Sequence, residues 1–159
     1  MKKLNYKLKI NDDSRISITR PKCNKYTLDD VEVQFCYKNK KYKLAIDSYF
    51  HEIYDSLIKL TKPKEKIFNN IVEDFQMFEK DLSMYKIEDF SDYLIFGYKS
   101  NVLFLYRENG NIMIVFARFS SKESKYIEVI NVAVTEDLID EWKRTIFNNE
   151  ALNPYSHLA

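Results

Sequence analysis

The chain has little glycine, cysteine, histidine or arginine and no long apolar run, and each shortage removes a class of function. Gly97 and Gly110 are the only glycines among 159 residues. That leaves no material for a glycine-rich phosphate loop, which needs several backbone N–H groups in close approach to the ligand. No GxSxG elbow is present either, so neither nucleoside-triphosphate chemistry nor serine-hydrolase chemistry is expected. Cys23 and Cys36 form no CxxC and have no histidine beside them to complete a zinc site. Read as a reduced pair, they suit a cytoplasmic protein. The longest apolar run, Ile112 to Ala117, has six residues, against the roughly 20 that a spanning helix needs. Asn5, Lys7, Lys9 and Asn11 break the apolar stretch that Met1-Lys2-Lys3 would need to open a signal peptide. The expectations are no membrane partner, no export and a cytoplasmic location.

What the chain does have is an apolar content of 45%, an aromatic content of 15% and a divided charge. These suffice for one packed domain over residues 1–159. Residues 1–66 carry 16 Lys and Arg against 9 Asp and Glu, while residues 67–159 carry 9 against 15, for a net charge of only +1. The acid concentrates in Glu73, Asp74, Glu79, Asp81, Glu88, Asp89 and Asp92, interrupted only by Lys80 and Lys86. Such an asymmetry points to an interaction surface before it points to a reaction.

Periodicity predicts an α+β fold. Tyr6, Leu8 and Ile10 alternate with lysines, as do Val31, Val33, Phe35 and Tyr37 with Glu32, Gln34, Cys36 and Lys38, and Tyr42, Leu44 and Ile46 continue the period of half-buried strands. Ile16 and Ile18 make a weaker strand. The polar link Lys38-Asn39-Lys40-Lys41 predicts an antiparallel hairpin. Lys7, Lys9, Lys38 and Lys43 would then occupy the wet face of an N-terminal sheet. From Asp47 or Ser48, apolar residues from Tyr49 to Leu60 recur at helical spacing until Pro63. A second apolar stripe, from Ile67 and Phe68 to Leu82, predicts an amphipathic helix with its acid outside.

A four-strand meander follows, near 93–99, 102–108, 112–120 and 126–134. Asn109-Gly110 is a type I′ turn signal. A two-residue loop there would set Tyr106 against Met113, Phe104 against Val115 and Val102 against Ala117 on one face, with Leu105 against Ile114 and Leu103 against Phe116 on the other. Both faces of this hairpin are apolar, so both need cover. Thr135 then caps a closing helix marked by Leu138, Ile139, Trp142, Ile146 and Phe147. The expected architecture is a mainly antiparallel sheet, N-terminal strands plus C-terminal meander, packed by two central helices and one C-terminal helix.

Candidate sites are few. His51 and Asp55 share a helix face with Glu52 nearby, a set that could do general-base work or hold a metal. HEIYD, however, lacks the second histidine of HExxH, and His157 stands in the tail, so a surface histidine is the plainer reading. Cys36 in an alternating strand reads as core. Arg20, Lys22, Lys25 and Tyr26, or Lys38 to Lys43 with Tyr37 and Tyr42, mix basic and aromatic residues as single-strand binders do. With 5 arginines to 20 lysines, a solubilising role is favoured over nucleic-acid binding. Carboxylates interleaved with Tyr85, Phe90 and Tyr93 are by default a solvated helix face, and otherwise a surface that steers and anchors a basic protein. No catalytic residue, cofactor site or metal site is assigned.

YLIFGYKSNVLFLY (93–106), the RENGNIMIVF hairpin (107–116) and INVAVTEDLIDEW (130–142) resemble immunity proteins of bacterial polymorphic toxin systems, including contact-dependent growth inhibition. The resemblance is one of architecture, and it implies a non-enzymatic, stoichiometric inhibitor of a cognate toxin domain, often a basic nuclease, bound over its active site or beside it. The expected contact set is Glu73, Asp74, Glu79, Asp81, Tyr85, Glu88, Asp89 and Asp92. A secretion chaperone or adaptor gripping an extended segment is the alternative, ahead of a metal enzyme at His51 or a nucleic-acid binder.

Overall fold

The computed structural model describes residues 3–21, 31–47, 50–80 and 88–148. Two compact units are formed, one by residues 1–61 with 136–159 and the other by residues 62–135. Each is built on a four-stranded antiparallel sheet in sequential order, with helices alongside, so the fold is α+β.

The first unit contains β1 (Lys3–Lys9), β2 (Ser14–Pro21), β3 (Val31–Tyr37), β4 (Lys40–Asp47), α1 (Phe50–Lys59) and, from the far end of the chain, α4 (Glu136–Phe147). Side-chain alternation fixes its register. Leu8 opposes Ile16, which opposes Phe35, and Tyr6 opposes Ile18, which opposes Val33. Ile16, Ile18, Val33 and Phe35 are fully buried, each burial contributing roughly 1.5–3 kcal/mol. Ile16 and Ile18, a weak strand signal, thus belong to a central strand. On the opposite face Lys7 aligns with Ser17 and Gln34, and Lys9 with Arg15 and Cys36.

Strand β4 departs from strict alternation. The ladder shifts between Val33 and Gln34, so that Ala45 opposes Val33 and Ile46 opposes Glu32. Leu44 is the extra residue of the bulge and stays buried, whereas Ile46 is turned to the polar face and is 42% exposed. The expectation of Tyr42, Leu44 and Ile46 on one face is corrected by that single inserted residue.

Helix α1 buries Ile53, Tyr54 and Leu57 and ends where the Thr61 N–H and Oγ1 both donate to the Ile58 carbonyl, two residues before Pro63. Helix α4 starts one residue after Thr135, as a cap there requires, and buries Ile139, Trp142 and Ile146. The Trp142 Nε1–H donates to the Lys9 carbonyl at 2.9 Å, joining the C-terminal helix to the first strand. Phe147, the last residue of the helix, is 43% exposed.

The second unit contains α2 (Ile71–Lys80), the single-turn α3 (Glu88–Ser91), β5 (Leu94–Tyr98), β6 (Asn101–Glu108), β7 (Asn111–Ser120) and β8 (Lys125–Val134). The β6–β7 register has every pairing that the Asn109-Gly110 turn predicts. Both turn residues lie at positive φ, 51° and 83°, and at Gly110 the left-handed backbone carries no Cβ penalty. Residues 101–106 are all buried, so both faces of β6 are dry. One face carries Val102, Phe104 and Tyr106 in a cluster with Val115, Ala117, Phe75 and Phe90. Leu103, Leu105, Ile114 and Phe116 of the other face are fully buried as well.

Helix α2 starts later than its apolar stripe predicts. Lys64 to Lys66 run beside β6, with the Arg107 N–H donating to the Lys64 carbonyl and the Lys66 N–H donating to the Arg107 carbonyl. That extended pairing holds the chain out of helix before Asn70. The Asn70 Oδ1 then accepts from the N–H groups of Val72 and Glu73, each at 3.1 Å, and sets the start of α2. Phe68 reaches the core from the connecting segment, stacked on Phe90, while Ile67 is 75% exposed.

Candidate functional site

Helix α2, which carries Glu73, Asp74 and Glu79, lies against the β7–β8 hairpin. Ile71, Val72 and Phe75 are buried, and Phe75 packs edge-on to Phe104 and Phe90. The opposite side of the helix is thereby left to Glu73, Met77 and Lys80, all exposed. Gln76 ties the helix to the hairpin through both ends of its amide. Its Nε2 donates to the Ser124 carbonyl at 3.0 Å and its Oε1 accepts from the Tyr126 N–H at 2.9 Å. A glutamine making two such bonds satisfies backbone groups of the edge strand that would otherwise face solvent or a partner.

One turn further along α2, Glu79 accepts a hydrogen bond from the buried Tyr126 hydroxyl. Burial holds the Tyr126 phenol far above its ordinary value, and the Glu79 hydrogen bond and charge push in the same direction. The hydroxyl is a fixed donor, and its ring is the platform on which Phe119 stands edge-on at 5.3 Å between centroids. Phe119 is 39% exposed. A shallow groove of about 490 Å³ runs between Gln76, Glu79, Phe119 and Tyr126, with Lys80 and Lys99 at its sides. Met77, on the outer side of α2, and Ile127, opposite Arg118 on the other face of the sheet, are 42% and 38% exposed and do not line the groove.

The expected contact residues do not share one element. Glu73 and Asp74 stand in the first turn of α2, where a carboxylate also suits the positive end of the helix dipole. Glu79 lies at the other end of that helix. Glu88 and Asp89 fall in α3, and Asp92 follows it, its carboxylate 3.1 Å from the Lys64 ammonium. Asp81 and Tyr85 lie outside the described residues. Phe90 is wholly buried and Tyr93 nearly so, its hydroxyl donating to the Glu65 carbonyl. These two aromatics are core rather than surface anchors. Gln76 and Phe119 carry little signal in the sequence: Gln76 is a polar position of the α2 stripe, and the alternation of β7 around Phe119 cannot say where α2 stops covering the sheet.

The remaining candidates are simply placed. His51 lies in α1, Cys36 is buried in β3, and Cys23 and His157 lie outside the described residues. Among the described residues no group of three or more His, Cys, Asp or Glu side chains is disposed to hold a metal ion, and no helix is long and apolar enough to cross a membrane. No protein-family model, curated protein or solved structure matches the chain.

Proposed function

We propose that the protein is a non-enzymatic binding protein of the immunity type, which neutralises a basic bacterial toxin domain by forming a stoichiometric complex. The observation that carries this reading is Phe119, a large aromatic left 39% exposed beside the Glu79 carboxylate and braced by Tyr126. A partly exposed aromatic held in place by a buried ring is the kind of anchor that dominates protein interfaces. The carboxylates of Glu73, Asp74 and Glu79 along one short helix supply steering toward a basic partner. Lys80 and Lys99 at the sides of the groove would disfavour partners lacking acidic groups at matching positions, a contribution to selectivity.

The test is co-expression with a candidate toxin domain, sought first in the neighbouring open reading frame. Growth should be rescued, and the double substitution Phe119→Asp with Glu79→Lys should abolish rescue while the isolated variant keeps its fold by circular dichroism. Rescue that survives the double substitution would reject this surface. Absence of rescue by the unaltered protein would reject the function.

A further inference from the structure

We propose a second binding site, for the terminal phosphate of a small phosphomonoester, in the cleft where the two hairpin turns of the first unit meet. The β1–β2 turn and the β3–β4 turn lie at one end of the sheet and are joined by the Lys38 N–H donating to the Asp13 carbonyl at 2.8 Å. Between them is a cleft of about 510 Å³ whose lining includes the cationic residues Arg15, Lys38, Lys40 and Lys41, the Lys38 ammonium lying 5.2 Å from the Tyr37 ring centroid. The buried Cys36 forms part of its wall. A solvated lysine face accounts for lysines spread over a sheet. It does not account for three of them converging with an arginine on one concavity.

Arg15 is the residue that points to a ligand. Its Nε is sealed from water and has no hydrogen-bond acceptor, although ionised donors in folded proteins are almost always satisfied. A tetrahedral oxyanion presents two oxygens at the spacing of a guanidinium fork, and a turn of the Arg15 guanidinium would offer them Nε–H. The cleft walls are pre-set for this. Asn11 Oδ1 accepts from the Asp13 N–H and the Ser14 hydroxyl, bracing one turn, and Lys38 sits at φ 46° in the other. Preorganisation of that sort lowers the ordering cost of binding.

The two carboxylates at the cleft decide the class of anion. Asp12 and Asp13 line it beside the four cations, and Asp12 is partly neutralised by Lys9 at 3.3 Å. A phosphodiester backbone needs an uninterrupted cationic track, which these carboxylates break. A compact dianion needs only a local excess of about two positive charges, and the cleft supplies that.

Titration of the full-length, nitrogen-15-labelled protein with inorganic phosphate at fixed pH and ionic strength tests the site. Saturable shifts confined to the amides of Arg15, Cys36 and Lys38 to Lys41 are expected, with a Kd of roughly 1 mM or tighter. Arg15→Gln should weaken binding at least ten-fold, and Lys40→Gln with Lys41→Gln, two exposed positions whose loss leaves the fold intact, should weaken it several-fold. Unsaturable shifts spread over the surface and reproduced by chloride would overturn the proposal. A single-stranded oligonucleotide that binds equally well with or without a terminal phosphate would overturn the choice of ligand.

Discussion

The two sheets have the same strand number, the same antiparallel order and opposite treatments of their faces. The sheet of β1 to β4 keeps one face for Ile16, Ile18, Val33 and Phe35 and gives the other to Lys7, Lys9, Gln34 and Lys43. In the sheet of β5 to β8, six consecutive residues of β6 are buried. Polar groups accordingly line the second face of the first sheet, with Ser17 and Cys36 buried among them, and the hairpin turns lie at its end. The second sheet is sealed over its middle, and Phe119 emerges at the rim beside the end of α2. A polar face can gather a small ligand, whereas an apolar rim beside carboxylates suits another protein.

Paired substitutions at adjacent positions should break this contrast most severely. On β6, Phe104→Ala should cost about 3–5 kcal/mol and its neighbour Leu105→Ala about 2–5 kcal/mol, because both faces are packed. On β3, Phe35→Ala should cost about 3–5 kcal/mol while its neighbour Gln34→Ala costs under about 0.5 kcal/mol. Urea unfolding of the four variants measures this directly. Equal losses at Phe35 and Gln34, or a silent Leu105, would erase the distinction between the sheets.

Alkaline unfolding sharpens the contrast, because Tyr93, Tyr106 and Tyr126 all belong to the second unit. Burial raises each phenol above the ordinary 10.0, joined at Tyr126 by the Glu79 hydrogen bond, at Tyr106 by Glu108 and Glu128, and at Tyr93 by Asp92 against a lowering by Lys64. Above about pH 10 the unfolded chain releases tyrosine protons that the folded chain retains. Stability is therefore fully present below that pH and falls as pH rises, by up to about 1.4 kcal/mol per pH unit for each such group. Tyr126→Phe should flatten the slope of denaturation midpoint against pH between about 10 and 11; an unchanged slope would remove Tyr126 from the explanation.

Two smaller effects complete the series. Asn70→Ala removes the acceptor for two α2 N–H groups and should cost about 1 kcal/mol, with faster amide exchange at Val72 and Glu73. Lys9→Ala removes an exposed pair with Asp12 on the first sheet and should shift stability by less than about 0.5 kcal/mol, fading further in high salt.

The sequence made local and repetitive features legible. Asn109-Gly110 specified the β6–β7 register to the residue, because a two-residue turn with positive φ leaves one pairing. Thr135 and the apolar spacing after it located α4. Tertiary contacts decided the rest. The bulge at Leu44 put Ile46 outside, and the pairing of Lys64 to Lys66 with Arg107 delayed α2. The acidic run read as one surface, yet it spans α2, α3 and the segment before β5, and Asp92 is engaged by Lys64. Phe119 could not be read as an anchor, since its exposure depends on where α2, far earlier in the chain, ends. The meeting of Arg15 with Lys38 to Lys41 depends on the pairing of β2 with β3, whereas the sequence shows only the β3–β4 hairpin and a weak strand at Ile16 and Ile18.

The proposed binding function is tested most directly by calorimetric titration of the protein with a candidate toxin domain from the neighbouring open reading frame, rendered inactive for handling. A one-to-one complex with a Kd of about 10 nM or tighter is expected for the unaltered chain, weakened at least a hundred-fold, or about 2.7 kcal/mol, by Phe119→Asp with Glu79→Lys. An affinity unchanged by that double substitution, or no heat of binding with the unaltered chain, would contradict it.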